Sequence, residues 1–272
     1  MIQMRRIILV TVMLLTAISI NGQNKTVTRS SSPQKTTKVD KSNPKDSKSK
    51  MIPKQPSKIR SKTKQSSSLC PDNKHPHAID LGLPSGTKWA CCNIGATKPE
   101  AYGDYYAWGE TEKKNKYDHV SYKYSTGEDK DGDGWYDNKR SQYQELGSSI
   151  CGTKYDVAYV KWGNSWVMPS KKQFDELINN CNFKWTSLNY IKGAYFKSKT
   201  NGNSIFLPAA GYRSGTNLFD RGHIASGYYM SGTLISNDPS ASHSLYFFYG
   251  DPYTDRSNGF RYLGHTVRPV TR

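Results

Sequence analysis

Four aspartates in the stretch DKDGDGWYD, residues 129–137, have the spacing of a cation-binding loop. Alternating carboxylates can converge on one hard ion, and Gly134 permits the sharp turn that such a loop requires. The candidate calcium ligands are the side chains of Asp129, Asp131, Asp133 and Asp137 and the main-chain carbonyl of Trp135. Position twelve is Arg140, where an EF-hand has a bidentate glutamate, so the pattern predicts calcium binding outside an EF-hand. The alternative is a surface turn whose aspartates bond their own backbone.

A second pair of possible metal ligands is His75 and His77, which are two residues apart. In an extended segment their side chains point to the same face, where together they could hold a metal ion. The alternative is that both are ordinary surface histidines.

Signatures of catalysis are scarce. The sequence contains no G-x-S-x-G elbow, no H-E-x-x-H pair, no Walker loop and no dinucleotide fingerprint. A glycosidase needs two opposed carboxylates, which a sequence alone cannot bring together, so a hydrolase stays as a minor alternative.

The segment SHSLYFFYGDPYTDRSNGFRY, residues 242–262, has the composition of a binding surface. Its aromatic side chains offer rigid contact area, while Ser, Asn and Asp offer adaptable hydrogen bonds, as in antibody paratopes. If Leu245 and Phe247 face the core, strand alternation turns Tyr246 and Phe248 outward. The predicted ligand-binding residues are Tyr229, Tyr246, Phe248, Tyr249, Asp251, Tyr253, Asp255, Arg256, Asn258, Phe260 and Tyr262. The alternative is that many of these rings pack between irregular loops.

The elements that must position these residues follow from local patterns in residues 70–272. In MPSKKQFDELINNC, Ser170 and Gln173 form a capping-box signature before a helical apolar spacing, and a shorter helical turn is expected over residues 156–161. Asn201-Gly202 lies between two apolar runs and predicts a β-hairpin. Further strands are expected in SGYYMSG, HSLYFFYG and YLGHTVRPV. This is an α+β domain with one main helix, short antiparallel strands and much irregular loop.

The residues before this domain have a different character. In MIQMRRIILVTVMLLTAISINGQ, two arginines precede an apolar run that is too short to span a bilayer, which predicts a signal peptide over residues 1–22 and export. Residues 23–69 are rich in Ser, Thr, Lys and Pro and are expected to form a disordered basic linker. Residues 24–69 hold thirteen Lys and Arg against two Asp, so most of the net charge of +17 belongs to this stretch. The linker could contact anionic envelope polymers or act as a solvated spacer.

The order of local motifs resembles the Fibrobacter succinogenes major paralogous domain family. The motifs, within residues 78–270, are AIDLGLPSGTKWACCNIGA, YGDYYAWGE, YDVAYVKWGNSWVMPSKKQFDELINNC, NGNSIFLPAAGYR, SGYYMSG and LGHTVRPV. The resemblance implies a C-type-lectin-like fold in its formylglycine-generating-enzyme variant, similar to the variable proteins of diversity-generating retroelements. It also implies a disulfide between Cys92 and Cys181. The chain departs from the usual pattern in having two adjacent cysteines in CCNIGA, where one is usual.

The expected function is that of an exported, non-enzymatic binding protein at the surface of a Gram-negative bacterium, or in its periplasm or surroundings. Related enzymes oxidise substrates through a cysteine pair in the C-terminal part of the domain, and no cysteine follows Cys181 here. The expected partner is a glycan or a protein on a cell surface, with calcium as a possible cofactor; nucleic acid is not an expected partner, nor is the mature chain expected to span a membrane. The alternative is a structural or adhesive subunit, such as a fimbrial-tip component.

Overall fold

The computed structural model describes residues 75–127, 143–163, 165–222, 225–255 and 259–272, all within the unit Ser61–Arg272. The predicted signal peptide, the basic linker and the aspartate-rich loop of residues 129–137 lie outside the described residues. The same is true of Arg256, Asn258 and the side chain of Asp255.

Both predicted helices are confirmed. The short helix α1 is Val157–Trp162, and the Asp156 Oδ1 at its N-cap accepts hydrogen bonds from the main-chain N–H groups of Ala158 and Tyr159 at 2.8 and 3.1 Å. The main helix α2 is Lys171–Asn180, and it begins with the expected capping box of Ser170 and Gln173.

The described strands form four small sheets in which all strand pairs are antiparallel, so the domain is α+β with little helix. The first sheet has the order β1-β2-β11, the second β3-β4-β5, the third β10-β9-β8 and the fourth β6-β7. The strands are β1 Ala78–Asp80, β2 Lys88–Ala90, β3 Cys181–Leu188, β4 Ile191–Ser198, β5 Ser204–Pro208, β6 Tyr212–Ser214, β7 Asn217–Phe219, β8 Gly227–Ile235, β9 Asp238–Phe247, β10 Tyr253–Asp255 and β11 Val270–Thr271.

The hairpin predicted at Asn201-Gly202 is confirmed as the connection between β4 and β5, and the SGYYMSG and HSLYFFYG strands are confirmed as parts of β8 and β9. The strand predicted for YLGHTVRPV, residues 262–270, is wrong over most of its length. Apart from β11, this segment makes isolated bridges, such as Gly264 with Arg213 and Thr266 with Tyr229.

Two buried arginines hold this irregular C-terminal segment in place. Arg268 is 0% exposed, and its guanidinium donates hydrogen bonds to the Asn93 side chain and to four main-chain carbonyls. Arg261 lies over the ring of Trp108, 4.6 Å from its centroid, and donates to the Tyr122 hydroxyl at 2.9 Å. The main-chain groups of the segment itself bond to main-chain groups of several separate parts of the chain, so the segment is ordered without a continuous sheet ladder.

The core lies in three clusters of buried side chains. Phe174 and Leu177 of α2 pack into the first cluster, where the Phe174 ring lies 5.6 Å from that of Trp89. Leu245 and Phe247 of β9 belong to the same cluster and are fully buried. Their burial confirms the predicted inward face of β9.

The expected disulfide between Cys92 and Cys181 is not formed in the structure, which corrects that prediction. Both side chains are buried in the first cluster, where Cys92 also makes a hydrogen bond with the neighbouring Cys91. Burial raises the pKa of Cys181 to about 11, so its sulfur is a protonated thiol at neutral pH.

In the part of the chain that the structure describes, no helix is long and apolar enough to cross a membrane.

Candidate functional site

A continuous series of aromatic rings, here called the aromatic row, connects two of the sheets, β6-β7 and β10-β9-β8. Its members are Phe219, Tyr212, Tyr228, Tyr246, Phe248 and Tyr253. Successive ring centroids from Phe219 through Tyr212 and Tyr228 to Tyr246 are 5.4, 5.0 and 4.8 Å apart. Tyr246 then contacts both Phe248 and Tyr253, at 6.0 and 5.0 Å.

Strand register explains the contacts of the row. Tyr212 is paired with Phe219 between β6 and β7, and Tyr246 is paired with Tyr228 on β8 and with Tyr253 on β10. Residues directly opposite each other in an antiparallel pair have neighbouring side chains on the same face. Apart from Phe248, which follows β9 directly, the rings are therefore placed by the backbone hydrogen bonding of strands.

A backbone contact between two glycines joins the β6-β7 sheet to the β10-β9-β8 sheet next to the aromatic row. Gly211 and Gly227 form a parallel bridge, so the residues that follow them, Tyr212 and Tyr228, come together. A Cβ atom on Gly227 would lie 2.2 Å from the Phe247 ring, and one on Gly211 would lie 1.9 Å from the Phe219 carbonyl oxygen. Only glycine permits this close approach of the backbone.

The row is exposed at its ends and buried in its middle. Phe219, Phe248 and Tyr253 are 41%, 43% and 43% exposed, whereas Tyr228 is only 4% exposed. Five of the eight exposed large hydrophobic side chains in the described residues lie between Phe219 and Phe260. The outward orientation predicted for Tyr246 and Phe248 is confirmed, since Tyr246 is half-buried and Phe248 is exposed.

Polar groups flank the aromatic row on two sides. The Tyr228 hydroxyl donates to Asp220 Oδ2 at 2.8 Å, beside Phe219. Next to Tyr253, the Thr254 hydroxyl donates to Asp175 Oδ1 at 2.6 Å. Although partial burial opposes it, hydrogen bonds from Lys171 and Thr254 lower the pKa of Asp175, so the carboxylate is charged at neutral pH.

Phe260 belongs to a second, smaller aromatic group. Its ring is 40% exposed and is stacked on Tyr262 with centroids 5.6 Å apart. The ring of His119 lies 4.0 Å from Tyr262 on the inner side. Tyr262 is 7% exposed, so its predicted role as a ligand contact is corrected: it supports Phe260 from below.

Tyr229 is likewise not a surface residue. It is 0% exposed in the first core cluster, and its hydroxyl donates to the Pro208 carbonyl at 2.8 Å. The sequence predicted Tyr229 as a ligand contact, but it is the neighbouring Tyr228 that lies in the aromatic row. Most of β8, from Gly227 to Gly232, is buried on both faces, so polarity gave no signal to distinguish the two tyrosines.

Other predicted ligand contacts are distributed along the connection after β9. Tyr249 is 80% exposed, and Asp251 is exposed beside it. Three members of the row carry no such signal in the sequence, because they lie in other strands and join the row only through strand pairing: Tyr212, Phe219 and Tyr228.

A groove of about 690 Å³ lies between the start of α2 and the last strand. It is lined mainly by small polar side chains, including Ser170 and Gln173, and by Cys151. Burial raises the pKa of Cys151, so this thiol is not activated as a nucleophile.

His75, His77 and Cys91 lie together at the edge of the β1–β2 sheet. The Nδ1 atoms of His75 and His77 are 3.3 and 3.6 Å from Cys91 Sγ. The hydrogen bond from Cys92, together with those from His75 and His77, lowers the pKa of Cys91 to about 3 against the effect of burial. The Cys91 side chain is 1% exposed.

Comparisons with known proteins assign no family: no family model matches the chain, and neither the curated proteins nor the solved structures include a significant match.

Proposed function

We propose that this protein is an exported, non-enzymatic binding protein with a C-type-lectin-like domain that recognises a glycan through the aromatic row. The observation that carries the proposal is the row itself, in which exposed Phe219, Phe248 and Tyr253 are connected through ring contacts to a buried centre. Sugar rings have apolar faces that stack on aromatic side chains, and their hydroxyl groups bind to polar groups at the edge.

The rigidity of the row favours binding. Tyr246 is held by ring contacts on three sides, by Tyr228, Phe248 and Tyr253. A side chain that is already ordered loses little conformational entropy when a ligand binds, so more of the contact energy appears as affinity.

The chemistry at the edges of the row suits a hydroxyl-rich ligand. Asp220 and Asp175 each accept a hydrogen bond from a hydroxyl group of the protein and keep further acceptor capacity. Carboxylates that accept from sugar hydroxyl groups form charge-assisted hydrogen bonds, which are stronger than neutral ones. A protein ligand would use the same exposed rings as its central contacts.

The thiol that lines the groove is not activated as a nucleophile, which favours a binding role. Cys151 is the thiol in the groove, and its raised pKa keeps it protonated. In the sequence, no cysteine follows Cys181, so the cysteine pair of related oxidising enzymes has no counterpart.

The test is a glycan-array profile of the purified protein, recorded once in millimolar calcium and once in chelator. Reproducible binding to a defined set of glycans supports the proposal. Loss of that binding in chelator, restored by added calcium but not by added zinc, would assign a role to the aspartate-rich loop, and binding that is unchanged in chelator would separate recognition from the loop. Absence of binding in both conditions would contradict glycan recognition and favour a protein partner or an assembly role.

A further inference from the structure

We propose that His75, His77 and Cys91 bind a zinc ion at the edge of the β1–β2 sheet. This inference is independent of glycan binding, because the cluster shares no residue with the aromatic row. It rests on three donor atoms of suitable type, on their mutual distances and on the main-chain contacts that hold them.

Strand pairing brings two of the three ligands together. Ala78 of β1 is paired with Ala90 of β2, so the next pair outward is His77 and Cys91. The Cys91 N–H donates to the His77 carbonyl at 3.0 Å, which extends the ladder by that pair. Directly opposed residues of an antiparallel pair have side chains on the same face, and His75 joins them with its ring 5.3 Å from that of His77.

The distances fit a tetrahedral ion. With Zn–S of about 2.3 Å and Zn–N of about 2.0–2.1 Å, tetrahedral angles place sulfur and nitrogen about 3.5 Å apart. The observed separations between Cys91 Sγ and the Nδ1 atoms of His75 and His77 are 3.3 and 3.6 Å. No pair of donor atoms in the cluster is more than 4.8 Å apart, so closure around an ion needs only small side-chain rotations.

The surrounding backbone holds the sulfur in position. The main-chain N–H of His77 donates to Cys91 Sγ at 3.2 Å, which is the kind of outer contact that orients a thiolate ligand. The Cys91 carbonyl accepts from Arg268 Nη1 at 3.1 Å, and Arg268 is itself fully buried. The ligand that is hardest to move is therefore the cysteine, while the two histidines are half-buried and able to adjust.

The donor set selects the class of metal. One thiolate and two imidazoles suit zinc and related borderline ions, whereas calcium and magnesium prefer oxygen ligands. Three protein ligands leave a fourth tetrahedral position for water or another donor, on the side where His75 and His77 reach the surface. The aspartate-rich loop of residues 129–137 is an all-oxygen candidate, so the two sites are chemically distinguishable.

The first experiment is a titration of chelator-treated, purified protein with Co²⁺, followed by Zn²⁺. We expect a thiolate-to-cobalt charge-transfer band that saturates at about one equivalent, as a single site requires, and that Zn²⁺ then abolishes at a similar ratio. An excess of calcium should leave the band unchanged, because calcium does not compete for sulfur and imidazole ligands. The absence of a thiolate band in the wild-type protein would overturn the proposal.

The ligands are identified with variants. His75→Ala and His77→Ala should each weaken cobalt and zinc binding by about a hundredfold or more, because loss of a direct ligand costs at least as much as loss of its outer contacts. Cys91→Ser should lose the charge-transfer band. Cys151→Ser is the matched thiol control, since Cys151 lies in the groove by α2 and should keep full binding.

Two readouts keep the test decisive if Cys91→Ser fails to fold. The histidine variants are partly exposed substitutions, and their melting temperatures in chelator should equal that of the wild type. Added Zn²⁺ should raise the melting temperature of the wild type but not that of His77→Ala, because an ion that binds only the folded state stabilises it. A full-intensity cobalt band in the His75→Ala/His77→Ala double variant would overturn the assignment.

Discussion

Tyr228 and Tyr246 face each other across the β8–β9 ladder with their ring centroids 4.8 Å apart, although Tyr228 is buried and Tyr246 is half-buried. The inner ring therefore supports the outer one. Tyr246 in turn contacts the exposed rings of Phe248 and Tyr253, so these two rings are attached to the core through the Tyr228–Tyr246 pair.

Two substitutions of Tyr246 should separate the contribution of its ring to ligand binding from the contribution of its hydroxyl group. We expect Tyr246→Ala to reduce ligand binding at least about tenfold, which corresponds to a loss of about 1.4 kcal/mol, because the variant lacks the ring that orders Phe248 and Tyr253. Tyr246→Phe keeps the ring and should keep most of the binding. Array signals and melting curves of both variants provide the check, and equal binding by all three proteins would contradict this role.

A substitution at the buried Tyr229 tests whether this residue contributes to stability rather than to ligand binding. Tyr229→Phe removes the donor to the Pro208 carbonyl and leaves that acceptor buried, so the free energy of unfolding should fall by about 1–2 kcal/mol. Ligand binding by the folded protein should stay unchanged. Denaturant unfolding measures the change in stability, and the glycan array measures ligand binding. Loss of binding without loss of stability would show that Tyr229 contacts the ligand.

Arg268 should be among the most sensitive positions for stability. Arg268→Met leaves the Asn93 side chain and four main-chain carbonyls without their donor, so we expect a loss of about 3 kcal/mol or more in the free energy of unfolding. The control is Arg221→Met at an exposed position, which should cost far less. A variant of Arg268 as stable as the control would show that the buried guanidinium is replaceable.

The absence of a Cys92–Cys181 disulfide predicts insensitivity to reduction. The melting temperature should be the same with and without a phosphine reductant, because both sulfurs already pack in the core. A native disulfide typically contributes about 2–4 kcal/mol, so its reduction would lower the melting temperature by several degrees. A drop of that size in the wild type, but not in Cys181→Ser, would show that the predicted Cys92–Cys181 disulfide forms.

The burial of His119 determines the direction in which the free energy of unfolding changes with pH. Burial lowers the pKa of His119 below its ordinary value, so the unfolded chain takes up this proton more readily than the folded protein. Stability is therefore complete above the unfolded pKa of about 6.5 and decreases as the pH falls toward the lower folded pKa. His119→Gln should flatten the pH dependence of unfolding in this range, and an unchanged slope would contradict the assignment.

Local signals predicted the elements that depend on short-range contacts. The capping box of Ser170 and Gln173 predicted the start of α2, and Asn201-Gly202 predicted the β4–β5 hairpin, because each rests on hydrogen bonds or dihedral angles within a few residues. Alternation along β9 also placed Tyr246 and Phe248 correctly, since one face of that strand meets the core.

Contacts between distant segments could not be predicted in this way. Tyr212 joins Tyr228 only through the Gly211–Gly227 bridge, and His77 meets Cys91 only through the β1–β2 register. The predicted strand at residues 262–270 failed because its main-chain groups bond to several separate segments rather than to one neighbouring strand. Such scattered pairing leaves no periodic pattern in the sequence.

The most direct test of glycan recognition compares two exposed tyrosines on the same array. Tyr253 ends the aromatic row, while Tyr190 lies fully exposed in the β3–β4 turn, outside the row. We predict that Tyr253→Ala loses binding to the glycans that the wild type binds, that Tyr190→Ala keeps it, and that both variants melt close to the wild-type temperature. Equal binding by Tyr253→Ala and Tyr190→Ala at unchanged stability would contradict recognition through the aromatic row.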